Sequence, residues 1–280
     1  MRDLVIVVGS GKFPLQVAKL VLNRISNICI FEAIPDGAMS VLNKLACKQG
    51  ILYNKLTKES LLKFIKNNSD KSILLLSAWN AFIFTKEFFE FDNLKMVNYH
   101  PALLPNHPGR NTEAWCIFEG DSETGITWHI LEKKVDTGDI VIQKSFVIYD
   151  DMTSLDVMQK QFIMGLESLS EIIDDLINDV EKKVQHNKRR GKFHFASDIP
   201  NDGQLDFSWE DKKKSAFLRA MDYGKLELLG VPFVQFDGRK MSWRSYEIYD
   251  ANAEICEVKE NDILIKGKSI NIVLQDCYTI

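Results

Sequence analysis

The stretch LVIVVGSGKFPLQVAKLVL (residues 4–22) begins with an unbroken apolar run, stops at two glycines and resumes with Leu15, Val17, Ala18, Leu20 and Val21 at helical spacing. A short apolar run without alternation reads as a strand buried on both faces, and the segment from Phe13 to Arg24 as an amphipathic helix. The pattern repeats outward. Ile28–Phe31 reads as a second strand, Met39–Lys48 as a helix, Leu52 as the start of a third strand and Lys58–Lys66 as a helix. Ser72–Ser77 and Lys95–Tyr99 follow as strands. Apolar strands separated by ten-residue helices imply βαβ units, and hence a parallel sheet covered on both faces.

After His100 the text changes. Thr112–Glu119 reads as a helix; Gly125–Leu131 and Ile140–Phe146 read as alternating strands joined by EKKVDTGD (residues 132–139). Thr153 or Ser154 can cap a long helix whose apolar face runs Leu155, Met158, Phe162, Leu166, Leu169, Ile173, Leu176, Val180, and this helix is expected to cross the sheet. KKVQHNKRRGK (residues 182–192) has no apolar period and reads as a basic connector, or as a strip touching an anionic substrate. From Gly230 onward, VPFVQF, MSWRSYEI, DILI and SINIVL alternate with turn signals, as a small β domain or barrel would. The expected fold is α/β: a parallel-sheet, Rossmann-like domain over residues 1–181, a linker over 182–205, and a small β-rich, OB-like domain over 206–280.

Composition sets limits. The chain has 280 residues, 45% hydrophobic and 26% charged, with a formal net charge of −4, so total charge favours no polyanionic partner. Its five cysteines are scattered and never at CxxC spacing, which argues against a zinc site or disulfide framework and for ordinary buried thiols. Leu4–Val8 is too short for a signal peptide or a span, so no membrane association and a cytoplasmic location are expected.

The segment VNYHPALLPNHPGRN (residues 97–111) carries the chemistry. Asn98 and His100 lie two apart at a strand end and therefore point to one side, where open parallel sheets bind ligands. The amide can donate to a developing oxyanion and the imidazole can hold or pass a proton. Pro101, Pro105 and Pro108 stiffen the adjoining apolar loop, as a flat heterocyclic cofactor would require. Asp136, in the VDTGD turn, can orient an imidazole or hold a relaying water; taken alone, it could equally just begin a turn.

The segment NYHPALLPNHPGR…GDSETGITWHILEKKVDTGDIVIQ resembles the folate-dependent formyltransferases, a family that includes phosphoribosylglycinamide, methionyl-tRNA and nucleotide-sugar enzymes, and is nearest in type to the last. The resemblance covers residues 70–180 well and the N-terminal half more loosely. It implies N10-formyltetrahydrofolate as co-substrate and no metal. Asn98 and His100 would stabilise and protonate the tetrahedral intermediate, and Asp136 would help take the amine proton, directly or through water. The pterin would meet Ala81, Phe82, Ile83, Leu104, Val135, Thr137 and Gly138. His129 is a supporting or structural residue on this reading, because strand alternation leaves its facing open.

For the acceptor, Gly9, Ser10, Gly11 and Lys12 form a βα turn that could seat a phosphate or simply need glycine for shape, and Asn111 is assigned beside them. The turn matches neither GxGxxG nor GxxxxGK[ST]. From Asp202 onward there are 14 Asp+Glu against 11 Lys+Arg, which weighs against tRNA. The β tail weighs against a glycinamide ribonucleotide, and a chain starting at its first strand leaves no room for the extra N-terminal domain of formyltetrahydrofolate hydrolases. A dTDP- or UDP-linked amino sugar is the expected partner. An amino acid such as hydroxyornithine, methionyl-tRNA, and a non-enzymatic folate or nucleotide binder are the alternatives. A homodimer through the β tail is compatible with the chain but is not read from it.

Overall fold

The computed structural model describes residues 1–34, 38–185, 191–226, 228–255 and 258–280; residues 186–190 of the basic connector and Cys256 lie outside them. The elements in chain order are β1 (Leu4–Val8), α1 (Lys12–Leu22), β2 (Ile28–Glu32), α2 (Val41–Gln49), β3 (Leu52–Lys55), α3 (Lys58–Asn67), β4 (Ile73–Ser77), β5 (Leu94–His100), α4 (Thr112–Glu119), β6 (Glu123–Ile130), β7 (Ile140–Val147) and α5 (Ser154–Asn178). Then come β8 (Gln204–Leu205), α6 (Asp211–Ala220), β9 (Phe233–Phe236), β10 (Arg239–Ser242), β11 (Ser245–Asp250), β12 (Ile263–Lys266), β13 (Ile270–Gln275) and β14 (Tyr278–Thr279).

Two compact units form from interleaved parts of the chain. One holds residues 1–108, 125–145 and 160–193; the other holds 109–124, 146–159 and 194–280. The division at 1–181, 182–205 and 206–280 therefore stands as a proposal about consecutive modules rather than about compact bodies.

In the first unit a seven-stranded sheet has the order β3-β2-β1-β4-β5-β6-β7. β1 to β5 are parallel, and β6 runs antiparallel to β5. The chain leaves β1 toward β2 on one side and returns to β4 on the other, so the carboxyl ends of β1 and β4 flank the point where winding reverses. Alternation sorts the strand residues. Val5, Val7, Leu74, Leu76, Val97, Tyr99, Ile126 and Trp128 join the core with α1, α2 and α5. Leu4, Ile6, Val8, Leu75 and Met96 join Leu61 and Ile65 of α3 on the opposite face.

The α5 helix reaches the sheet as its apolar stripe requires. Leu169, Ile173 and Leu176 are fully buried, and Trp128 Nε1 donates to Gly165 O at 2.9 Å. A Cβ on Gly165 would stand 2.5 Å from the Tyr99 ring, so glycine sets how closely helix and sheet approach. The stripe stops earlier than Val180, which is 65% exposed. Asp179 adopts φ 62° and ends the helix, with its carboxylate held by Arg2 at 2.5 Å and by Lys95. Gly165→Ala is expected to cost about 1–3 kcal/mol of unfolding free energy through overpacking, read as a lower urea midpoint. An unchanged midpoint would mean that α5 can lift freely.

In the second unit α4 packs against α6, an element hidden in the polar run EDKKKS. Phe118 lies 5.7 Å from Trp209 and 6.3 Å from Phe217, centroid to centroid, and Lys213 Nζ sits 3.2 Å above the Phe118 ring. Asp211 accepts from the Ser269 and Ile270 N–H groups and pairs with Lys214, tying the start of α6 to the β12–β13 turn; these donors hold its carboxyl below the usual range. The β tail makes two small sheets, β14-β10-β9-β8 and β11-β13-β12. MSWRSYEI, read as one strand, divides between them as β10 and β11, because Arg244 N turns to Gln275 O.

Glu113, in the first turn of α4, is 3% exposed. Burial pushes its carboxyl up to about 7, against the pull of Arg110 and a Tyr223 hydroxyl that donates to it. Between the ordinary value and about 7 the folded chain holds a proton that the unfolded chain releases, so stability falls as pH rises through that window. Glu113→Gln should remove up to about 3 kcal/mol of this decline, seen as a flatter melting temperature between pH 5 and pH 8. An equally steep profile in the variant would clear Glu113.

Candidate active site

Strand register builds the site. Ser77 on β4 stands opposite Asn98 on β5; on the other side, Asn98 stands opposite His129 on β6 and His100 opposite Thr127. The period of two then places Asn98, His100, Thr127 and His129 on one face, the face of Met96 and α3. The open question about His129 is answered by β6 pairing antiparallel to β5: it lies beside Asn98.

The side chains connect. Ser77 Oγ donates to Asn98 Oδ1 at 2.6 Å, and Asn98 Nδ2 lies 3.2 Å from His129 Nε2. His129 Nδ1 lies 2.9 Å from Ile130 O. A carbonyl only accepts, so Nδ1 carries the proton and Nε2 receives one from the Asn98 amide. One N–H of Asn98 is thereby committed, and the other is left for an incoming oxygen. His100 Nε2 is held by His107 O at 2.9 Å, which by the same logic leaves Nδ1 as the site where His100 can accept a proton.

Asp136 completes the cluster from the β6–β7 turn. It adopts φ 52°, a left-handed conformation that aspartate tolerates better than most residues, and it is 5% exposed. Its Oδ2 lies 3.7 Å from His100 Nδ1 and its Oδ1 3.6 Å from His129 Nε2. These separations exceed hydrogen-bond length, so the carboxylate acts on the two rings through its charge. Burial drives the His100 pKa down, while Asp136 draws it partly back up. The turn needs glycine at 138, where a Cβ would stand 1.8 Å from Ile130 O.

The proline loop is anchored by Thr127, which is fully buried. Its hydroxyl donates to Ala102 O at 2.6 Å and accepts from Leu104 N and Gln143 Nε2. Gln143 also donates to Leu104 O. Leu104, 2% exposed, is thereby held through its backbone N–H and carbonyl. Ile83 and Val135 are exposed at 65% and 40%, apolar side chains offered to solvent, and Asn80 Oδ1 holds Phe82 N at 2.8 Å. Thr137 caps its own turn through Lys134 O. Ser10 Oγ donates to Ala33 O at 2.5 Å, and Gly11 precedes α1 without a side-chain cap. Asn111 belongs to the second unit, where its amide donates to Asp198 O at 2.9 Å, and Gly9 to Lys12 belong to the first. Thr127, Gln143, Ser77 and Asn80 were missed as site residues, because nothing in their local sequence indicates which strand they face.

Residues 47–173 match the family described as formyl transferase. That stretch of the chain is similar to formyl transferase domains. Within curated proteins it is 28% identical over 154 residues to a GDP-perosamine N-formyltransferase of Brucella melitensis, covering 55% of this chain and 58% of that enzyme. It is 27% identical over 241 residues to a methionyl-tRNA formyltransferase of Lactobacillus johnsonii, covering 81% and 75%. The chain thus spans under two thirds of the perosamine enzyme it matches. Among solved structures, an N-formyltransferase from Helicobacter canadensis in complex with folinic acid and dTDP-3-aminofucose superposes with TM-score 0.73 at 18% identity, covering 97% and 98%. A sugar N-formyltransferase from Shewanella gives 0.70 at 21% identity, covering 86% and 96%. These likenesses show the fold: a mostly parallel α/β sheet with β-rich sheets after it. No helix among the described residues is long and apolar enough to cross a membrane.

Because the folded His100 stays neutral below its ordinary value while the unfolded ring protonates, stability should fall as pH drops below about 6.5. His100→Gln, which can still donate to His107 O, should lose less between pH 6.5 and pH 5 in thermal melts. A parallel loss in both proteins would place the acid sensitivity elsewhere.

Proposed function

We propose that this formyl transferase domain moves the formyl group of N10-formyltetrahydrofolate onto the primary amine of a nucleotide-linked amino sugar. The observation that carries the reading is the buried cluster in which one Asn98 N–H and His100 Nδ1 are left for chemistry, with the Asp136 carboxylate 3.7 Å from that nitrogen. The residues fit the folate: an uncommitted amide donor, a proton site, and exposed apolar Ile83 and Val135 in the same unit. When bound, the folate supplies a carbonyl carbon on a nitrogen that can leave.

Asn98 then faces that carbonyl oxygen as it gains negative charge, in a site with little water to compete. The attacking amine must shed a proton. His100 Nδ1 can take it, because burial keeps the ring neutral, and Asp136 at 3.7 Å stabilises the imidazolium that results. The same proton can return to the departing nitrogen, so Asn98 answers charge while His100 and Asp136 carry the proton. Ala81, Phe82, Ile83, Leu104, Val135, Thr137 and Gly138 are proposed around the folate, and Gly9, Ser10, Gly11 and Lys12 near a substrate phosphate.

The amino-sugar acceptor is favoured by the match to a perosamine enzyme and by the acidic tail. A second reading, methionyl-tRNA, draws on the longer match to the Lactobacillus enzyme, which reaches 81% of this chain. Release of tetrahydrofolate should be followed with dTDP-, UDP- and GDP-amino sugars in parallel with methionyl-tRNA. Turnover with tRNA alone would replace the sugar reading, and tight folate binding without turnover on any amine would leave a binder. Asp136→Asn is expected to lower kcat by about 10²–10⁴-fold while folate affinity stays within about two-fold. A near wild-type rate would remove Asp136 from the chemistry.

A further inference from the structure

A line of hydrogen bonds runs through the site with its direction set at both ends. At one end Phe82 N–H, which can only donate, meets Asn80 at 2.8 Å; the Asn80 atom it meets is therefore the oxygen. Asn80 Nδ2 must then face Ser77 Oγ, 2.7 Å away. Ser77 accepts there and has its own proton to give to Asn98 Oδ1 at 2.6 Å. At the other end Ile130 O, which can only accept, holds His129 Nδ1–H, so His129 Nε2 must accept from Asn98 Nδ2. Both arguments reach Asn98 with the same answer: oxygen toward β4, nitrogen toward β6.

We propose that Ser77 is a positioning residue that fixes the orientation of the Asn98 amide and so keeps its second N–H presented to the reacting oxygen. The assignment rests on the formyl-transfer reading of this site. Ser77 is 2% exposed and ends β4 directly opposite Asn98. Its hydroxyl does what a backbone carbonyl or an apolar residue there could not: it accepts from Asn80 and donates to Asn98 at once. A flipped Asn98 would set Oδ1 against the His129 lone pair and withdraw the donor, and Ser77 opposes that flip from the other side. Asn80 extends the hold to Phe82, so the turn proposed to meet the folate and the amide proposed to meet the formyl oxygen share one set of hydrogen bonds.

A double-mutant cycle tests this. Ser77→Ala is expected to lower kcat about ten-fold, less than the loss of a whole oxyanion donor, with KM for folate and amine nearly unchanged. Ser77→Thr, which keeps a hydroxyl, should recover most of the rate. In an Asn98→Ala background the same Ser77→Ala change should cost nothing more. Equal losses in both backgrounds, or a wild-type kcat in Ser77→Ala, would overturn the assignment. Should Ser77→Ala fail to fold by thermal melt, Asn80→Asp goes through the same cycle. It keeps an oxygen for Phe82 N–H but offers Ser77 no donor, and a smaller kcat loss that vanishes without Asn98 is expected; a loss that persists overturns the proposal. Wild-type protein that releases no tetrahydrofolate with any amine would sink the formyl-transfer reading and this role with it. Turnover in the wild type together with additive losses would sink the role of Ser77 alone.

Discussion

Because β6 runs antiparallel to β5, His129 stands opposite Asn98 and Thr127 opposite His100. The Asn98–His129 contact and the anchoring of the proline loop by Thr127 follow from that register. A shift of one residue would turn His129 and Thr127 to the other face, where Ile126 and Trp128 now fill the core against α5. The apolar packing of Trp128 under Gly165 thus holds the polar residues of the same strand in place. The energy that fixes the register comes from burial on one side of the sheet, and the chemistry appears on the other.

Burial moves the pKa values of His100 in the first unit and Glu113 in the second in opposite directions. In the first, burial holds His100 neutral, and Asp136 offsets part of that effect. This is the balance a proton carrier needs: a ring that is empty at neutral pH and has a carboxylate waiting for the charged form. In the second unit, Glu113 is buried among Tyr223, Cys116 and the α4–α6 packing, and its carboxyl is pushed up to about 7. Its effect on stability runs in the direction contrary to that of the histidine.

The division of labour between the first unit and the acceptor follows from the same geometry. On the proposed reading, Asn98, His100 and Asp136 act on a carbonyl oxygen and a proton, features shared by every formyl transfer to an amine. None of them distinguishes a sugar from a tRNA. That choice lies with surfaces outside the cluster, which is consistent with a chain similar both to a perosamine enzyme and to methionyl-tRNA enzymes.

Much of the first unit was legible in the residues themselves. Fully apolar runs with ten-residue amphipathic spacers admit little besides a parallel sheet, and β1, β4 and α4 fall where periodicity places them. Asn98 and His100 were legible because they share one strand, and period two alone puts them on one face. Ser77, Thr127 and His129 were not, since facing across three strands depends on register, which hydrogen bonding between distant segments decides. Asp136 was visible as a turn residue, yet its approach to two imidazoles came only from the closure of the β6–β7 connection. The α6 helix hid in a polar run, its apolar residues crowded into Ala216–Ala220 and its start held by an aspartate tied to a hairpin over fifty residues away. Local pattern therefore determined which segments are strands and helices and which residue types could do chemistry, whereas tertiary pairing alone decided which of those residues meet, because contact between them depends on register and burial that no single segment contains.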